Sequence, residues 1–259
     1  MDKKLIIVSL TSFPAALPFA TQAIQSILDG SVLPDKIVLY LTAQQFPNSK
    51  IPCELKDLLA LNSIFEIRFY NELIRSYTKL IPAIQDFPND IIVTIDDDVL
   101  YHKNMLKYLL NRHKKYPNAI IGHRIRRIRY NERYKSWKLY KHISVLKFSF
   151  KPSFRNLQTG VGGVLYPPHS LHKEMLKPNV FMQLAPTVDD IWFWAAAVAN
   201  GTKIAPIPFG FWRQPDLKKP AKVTLSSSNV YSGNDVNRKV FESIIKKYPT
   251  IKKRFESKN

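Results

Sequence analysis

The sequence predicts a single α/β domain whose mostly parallel central sheet is flanked by helices. Three observations carry that prediction. Short apolar, β-rich runs alternate with stretches of helical spacing over the first 116 residues. With 259 residues and 45% hydrophobic side chains, the chain can bury a sizeable core. No internal repeat or low-complexity linker divides it.

Residues 5–10 read as the first strand. Lys3 and Lys4 before Leu5-Ile6-Ile7-Val8 resemble the start of a signal peptide, but the run breaks at Ser9 and meets Thr11, Ser12 and prolines. A helix follows at 19–28, ending at Gly30, then a strand at 36–41, a helix at 52–61 and a strand at 64–70. Residues 78–85 form a short helix, and 90–95 are the clearest strand. Residues 105–116 have helical spacing in Met105, Leu106, Leu109 and Leu110. From 123 to 155 the pattern changes to a basic, aromatic stretch without a clear period. A strand is expected at 159–166, a helix at 188–200 ended by Gly201, and a strand at 202–207. The chain closes on an amphipathic basic helix, 236–255, broken at Pro249. In domain terms, 1–235 form one unit with a basic insertion at about 123–155, and 236–259 form a basic tail.

Composition narrows the classes further. Cys53 is the only cysteine, so a disulfide-stapled secreted domain is excluded. It has no motif that would make it a nucleophile. The longest uninterrupted apolar run, residues 191–199, is less than half of the ~20 residues that span a bilayer. The expected location is the cytoplasm, peripheral at the inner face of the membrane. The six histidines show no pair at metal-ligand spacing on an expected helix; His169 and His172, beside Pro167-Pro168, read as surface residues. The net charge of +19 asks for an anionic partner: nucleic acid, nucleotide, membrane surface or anionic glycolipid.

Four constellations carry chemistry. Asp96-Asp97-Asp98 ends the strand at 90–95, and ligands of open α/β sheets bind beyond the carboxyl ends of strands. Three adjacent acids repel one another, so a cation compensates them; hard oxygen donors suit Mg²⁺ or Mn²⁺ shared with phosphates. In extended backbone Asp96 and Asp98 face one way and Asp97 the other. The other reading is a solvated loop whose last aspartate caps a helix. Asp189-Asp190 opens the helix at 188–200. There Thr187 and Asp190 alternatively form an acidic capping box. Thr159-Gly160-Val161-Gly162-Gly163 concentrates three of the eight glycines, which allows a backbone to approach a ligand or simply bulges a strand. Lys79, an isolated cation, meets a diphosphate or is a solvated lysine.

Assembled, the chain resembles bacterial GT-A fold glycosyltransferases of capsule and lipopolysaccharide assembly. The blocks that carry the resemblance are VSLTSFP at 8–14, YTKLIPAI at 77–84, IVTIDDDVLY at 92–101, TGVGGVLYPP at 159–168 and APTVDDIWFW at 185–194. The resemblance implies a Rossmann-like GT-A domain, a nucleotide-sugar donor (UDP by default), a glycan or glycolipid acceptor, and bound Mn²⁺ or Mg²⁺. It implies Asp98 as direct metal ligand and Asp96 on the metal or the donor ribose. Ser9, Thr11 and Ser12 would cup the nucleoside, with Lys79 and Asp97 also on the donor. Gly162 and Gly163 would lie near the transferred sugar. Asp190 would be the base that deprotonates the acceptor, and Asp189 would orient it. The pair is Asp-Asp where family-2 and exostosin-like relatives have Glu-Asp, and no late histidine completes the metal shell, leaving Asn234-Asp235 as its substitute. Inversion against retention stays open. Two other classes remain. One is a Mg²⁺-dependent haloacid-dehalogenase-type phosphatase, although about three strands precede its would-be nucleophile. The other is a basic nucleic-acid-binding module without a recognised motif. No nucleic-acid partner is expected.

Overall fold

A computed structural model describes residues 3–47, 51, 53–140, 150–208, 217 and 235–257. Its centre is β1 (Ile6–Ser12), which pairs in parallel with β2 (Lys36–Thr42) on one side and β4 (Ile91–Thr94) on the other. Beyond β2 lies β3 (Phe65–Tyr70), also parallel. Beyond β4 lies β9 (Val164–Tyr166), antiparallel to both β4 and β5 (Ile120–Gly122). Parallel β10 (Ile204–Pro206) closes that edge. The spatial order is β10-β5-β9-β4-β1-β2-β3.

The near-continuous apolar runs of β1, β2 and β4 are those of strands buried on both faces. Alternation sorts their side chains. Ile7, Val38, Tyr40 and Ile92 join one core cluster; Val8, Leu10, Leu39 and Val93 join the other. The second cluster is covered by α1 (Leu17–Leu28), α2 (Cys53–Leu61) and α4 (Met105–Lys115). On the first lie α3 (Ile81–Asp86), α5 (Pro178–Leu184) and α6 (Asp189–Asn200).

Several expectations are corrected by packing. The basic stretch contains order: β6 (Ile125–Arg127) pairs antiparallel with β7 (Lys138–Leu139) and β8 (Asn156–Gln158) in a second, three-stranded sheet. Residues 141–149 of that stretch lie outside the described residues. The strand expected at 159–166 is split. Gly160–Gly162 make a 3-10 turn, and Gly163 at φ +84° turns the chain into β9, where an added β-carbon would lie 3.1 Å from Met105 Sδ. Only a residue without a β-carbon takes that conformation cheaply. The helix expected at 78–85 is divided into a 3-10 turn, Arg75–Lys79, and α3, with a proline in the first turn of α3.

The last two helices, α7 (Val236–Lys247) and α8 (Pro249–Glu256), break at Pro249 as expected. Their apolar faces do not point outward. Phe241 and Phe255 pack on Trp194 with ring centroids 5.5 and 6.0 Å away. Arg254 donates to the carbonyls of Val198 and Ala199 at the end of α6. Among the described residues, no helix is long and apolar enough to cross a membrane.

Candidate active site

Three chain segments reach the carboxyl edge of the sheet beside one another. β4 runs out at Thr94 and leads to Asp96-Asp97-Asp98. Thr94 is paired with Val164, the first residue of antiparallel β9, so the glycine turn before it arrives at the same edge. α6 begins there with Asp189 and Asp190. The indole N–H groups of Trp192 and Trp194 donate to Met175 O and Phe154 O, which fixes the rotation of α6.

Lys79 joins these segments. Its Nζ lies 2.8 Å from Asp96 Oδ1 and 3.0 Å from Asp189 Oδ2, with only 9% of the side chain exposed. Its backbone carbonyl accepts a 2.7 Å bond from Ser9 Oγ of β1. Burial opposes the ammonium charge, but Asp189, Asp96 and Asp190 outweigh it and hold its pKa well above the ordinary lysine range. The solvated-lysine reading is therefore excluded.

Asp190 is the second unusual group. Its Oδ1 accepts a 3.0 Å hydrogen bond from the N–H of Gly160. This explains why no capping box forms: the N-cap residue is Val188, not Thr187, and no side chain caps the helix. Burial first, then the neighbouring charges of Asp189 and Asp96, push the Asp190 carboxyl up to about 7, against the opposing pull of Lys79 and the Gly160 N–H. A carboxyl poised there suits general-base work near neutral pH.

The other sequence candidates lie as follows. Asp97 Oδ2 accepts a 2.6 Å bond from Ser12 Oγ, so Asp96 and Asp97 face different partners. Thr11 Oγ1 donates to Tyr40 O at 2.8 Å. The N–H of Asp96 donates to the hydroxyl of buried Tyr101 at 2.8 Å. Gly162 and Gly163 sit one step back. A β-carbon on Gly162 would meet Arg124 and His123, and one on Gly163 would meet Met105. Gly160 is the glycine at the acids: a β-carbon there would lie 2.8 Å from Lys79 Nζ and 3.0 Å from Asp96 Oδ1. Sequence reasoning placed Gly160 in the motif but not at the site; only the strand register separates the three glycines.

Gly160→Ala is thus expected to push the ammonium off Asp96 and cost about 1–3 kcal/mol by overpacking. Urea unfolding measures it. An unchanged midpoint would mean that the lysine yields freely.

Residues for a metal ion can be judged from the donors present. Asp96 spends one oxygen on Lys79 and keeps the other. Asp96 and Asp98 are both part-exposed while Asp97 between them is buried, the alternation of an extended segment. One or two carboxylates are what Mg²⁺ takes from a protein when substrate phosphates complete its shell, and the unpaired oxygen of Asp96 is a donor of that kind. Among the described residues, no three His, Cys, Asp or Glu side chains form a metal-holding group. Asp235 is engaged elsewhere: it caps α7 through Arg238 N and accepts from Tyr134 N. Asn234 lies outside the described residues.

No protein-family model and no curated protein matches the sequence. Solved structures do. The mannosyltransferase PcManGT of Pyrobaculum calidifontis, in complex with GDP-Man and Mn²⁺, superposes with a TM-score of 0.56 at 11% identity, covering 98% of this chain and 74% of that one. TarS 1–349 of S. aureus gives 0.49 at 9% identity over 82% of this chain and 59% of that one. The chain therefore shares the mixed α/β fold of the Pyrobaculum mannosyltransferase over nearly its whole length.

Proposed function

We propose that the protein is a glycosyltransferase that moves a sugar from a nucleoside-diphosphate sugar to a hydroxyl of a glycan or glycolipid acceptor. One observation carries the reading. Asp96-Asp97-Asp98 and Asp189-Asp190, far apart in sequence, meet through Lys79 at the carboxyl edge of a mostly parallel sheet. The shared fold with a protein solved with GDP-Man and Mn²⁺ supports it.

In this reading Asp190 accepts the proton of the acceptor hydroxyl, whose oxygen then forms a bond to the anomeric carbon. The bond from that carbon to the diphosphate breaks, and the diphosphate leaves with the electron pair. Asp189, tied to Lys79, orients the acceptor, and the Gly160 N–H fixes the Asp190 oxygen. Ser12 holds Asp97 at the end of β1, where the nucleoside would be cupped by Ser9, Thr11 and Ser12. Asp98 and the free oxygen of Asp96 would hold Mn²⁺ or Mg²⁺, which supplies charge to the departing diphosphate when bound. The phosphatase reading is not favoured, because Asp96 is ion-paired to Lys79 and three strands precede it. The reading includes a peripheral contact of the basic C-terminal helices with anionic lipid as an electrostatic contact only. Their apolar residues are spent in the core, so salt would abolish it.

The test is thermal unfolding with GDP-mannose, UDP-glucose and other nucleoside-diphosphate sugars, with and without Mn²⁺. A donor at a hundred times its Kd adds about 2.7 kcal/mol of stability, and Asp98→Ala is expected to abolish the metal-dependent part. A flat response to every donor would overturn the reading.

A further inference from the structure

The acid cluster sets a constraint on what can approach it. Asp96, Asp189 and Asp190 act on one buried lysine, so an anionic group meets repulsion from that side unless a cation is bound there. The chain just before Gly160 brings positive charge. Thr159, the residue before Gly160, donates its N–H to Arg124 O at 3.0 Å, and Arg124 Nη1 donates to Thr159 Oγ1 at 2.9 Å. Arg124 is thereby one residue removed from the backbone that holds Asp190.

Two residues further, in β6, Arg126 lies with its guanidinium 4.8 Å over the ring of Tyr134 and donates to Trp137 O at 3.0 Å. Tyr134 is buried, and its phenol pKa is raised by that burial first and by Asp190 second, while Arg126 and Arg124 pull it down. Ile125, between the two arginines, is paired with Gln158, whose amide donates to Asp190 O at 3.5 Å, so both guanidiniums and the aspartate share one neighbourhood.

Arg126 differs from the arginines around it. Arg129 is paired with Glu132, and Arg127 donates to Ser153 and Asn156. Arg126 makes no ion pair among the described residues, and its Nε is buried without a hydrogen-bond partner. A half-buried guanidinium with donors to spare is a receptor for a planar or tetrahedral oxyanion. The chain it belongs to is strongly basic in sequence: residues 102–155 carry sixteen Lys and Arg against Glu132 alone.

We propose that the acceptor carries an oxyanion, a phosphate or a carboxylate, that docks on Arg124 and Arg126 and turns its reacting hydroxyl to Asp190. This rests on the transferase reading and names the acceptor's chemical class.

The experiment measures binding of glucose 6-phosphate, glucuronate and glucose by calorimetry at low salt, with GDP-mannose and Mn²⁺ filling the donor site. Both charged sugars are expected to bind at least about tenfold more tightly than glucose. Arg126→Gln should remove about ten- to a hundredfold of that, with Arg126→Lys retaining part. The two charged probes separate a phosphate site from a carboxylate one. In transfer assays with a charged acceptor the loss should fall on the acceptor KM. Equal binding of the three sugars, wild-type binding by Arg126→Gln, or a rise in donor KM instead would overturn the inference. If Arg126→Gln fails to fold, the lysine variant carries the same comparison, and full wild-type binding by it together with equal binding of glucose is the overturning result. If no nucleoside-diphosphate sugar shifts the melting temperature, the transferase reading falls, while the calorimetry still reports the oxyanion site separately.

Discussion

Asp190→Asn is expected to lower the transfer rate by about 10²- to 10⁴-fold, the usual weight of a general base. Asparagine keeps the size and still accepts the Gly160 N–H bond, so the site should stay assembled while its proton acceptor is gone. In the wild type the group must be ionised to act. Its carboxyl is raised to about 7, so kcat/KM should climb as pH rises through about 7 and level off above it. Stability should move the other way. A carboxyl whose folded pKa exceeds its unfolded value binds its proton more tightly in the native state, so unfolding free energy falls as pH rises from about 4 to about 7. The variant lacks this slope and should be no less stable than the wild type at pH 8. Activity is measured by nucleotide release and stability by urea titration across pH 4–8. A variant within threefold of wild-type rate would remove Asp190 from the chemistry. This opposition of activity and stability is what a buried base beside Asp189 and Asp96 should produce.

What the sequence shows of this site depends on whether a feature is local. β1, β2 and β4 are legible because burial on both faces leaves apolar runs that nothing else explains. β6 and β7 are only three and two residues long inside a stretch where Arg, Lys and Tyr mask any period, and β8 is three residues just beyond it. Thr187 and Asp190 have the spacing of a capping box, yet Asp190 bonds to Gly160, thirty residues away, and no local rule could favour that partner. The amphipathic 236–255 segment is equally visible in both settings, lipid or core. Only Phe241 and Phe255 meeting Trp194 decides for the core. Arg124 and Arg126 come beside the Gly160 turn only through the β6–β8 pairing, which no local pattern shows.

Lys79→Met should have the largest effect on stability, because it removes the cation on which both acidic motifs converge. Methionine matches the length and fills the space without the charge. Asp189, with 12% of its side chain exposed, and Asp96, with 26%, would then face each other and Asp190 uncompensated. Breaking a buried pair from one side costs about 3–5 kcal/mol, and the partial exposure of Asp96 argues for the lower end. At about 3 kcal/mol the melting temperature of a chain this size should fall by roughly 6–12 °C. The pH dependence identifies the cause. In the wild type the raised lysine pKa contributes stability that is complete below about pH 10 and is lost only in alkali, as pH climbs through the folded value. In Lys79→Met the deficit should shrink on acidification, because protonation relieves the carboxylates left behind. A deficit under 1 kcal/mol between pH 5 and 8, or one unchanged by acid, would mean that the lysine merely fills space. The alternative outcome makes Lys79 the residue that lets Asp96, Asp189 and Asp190 share one edge of the sheet before any ligand arrives.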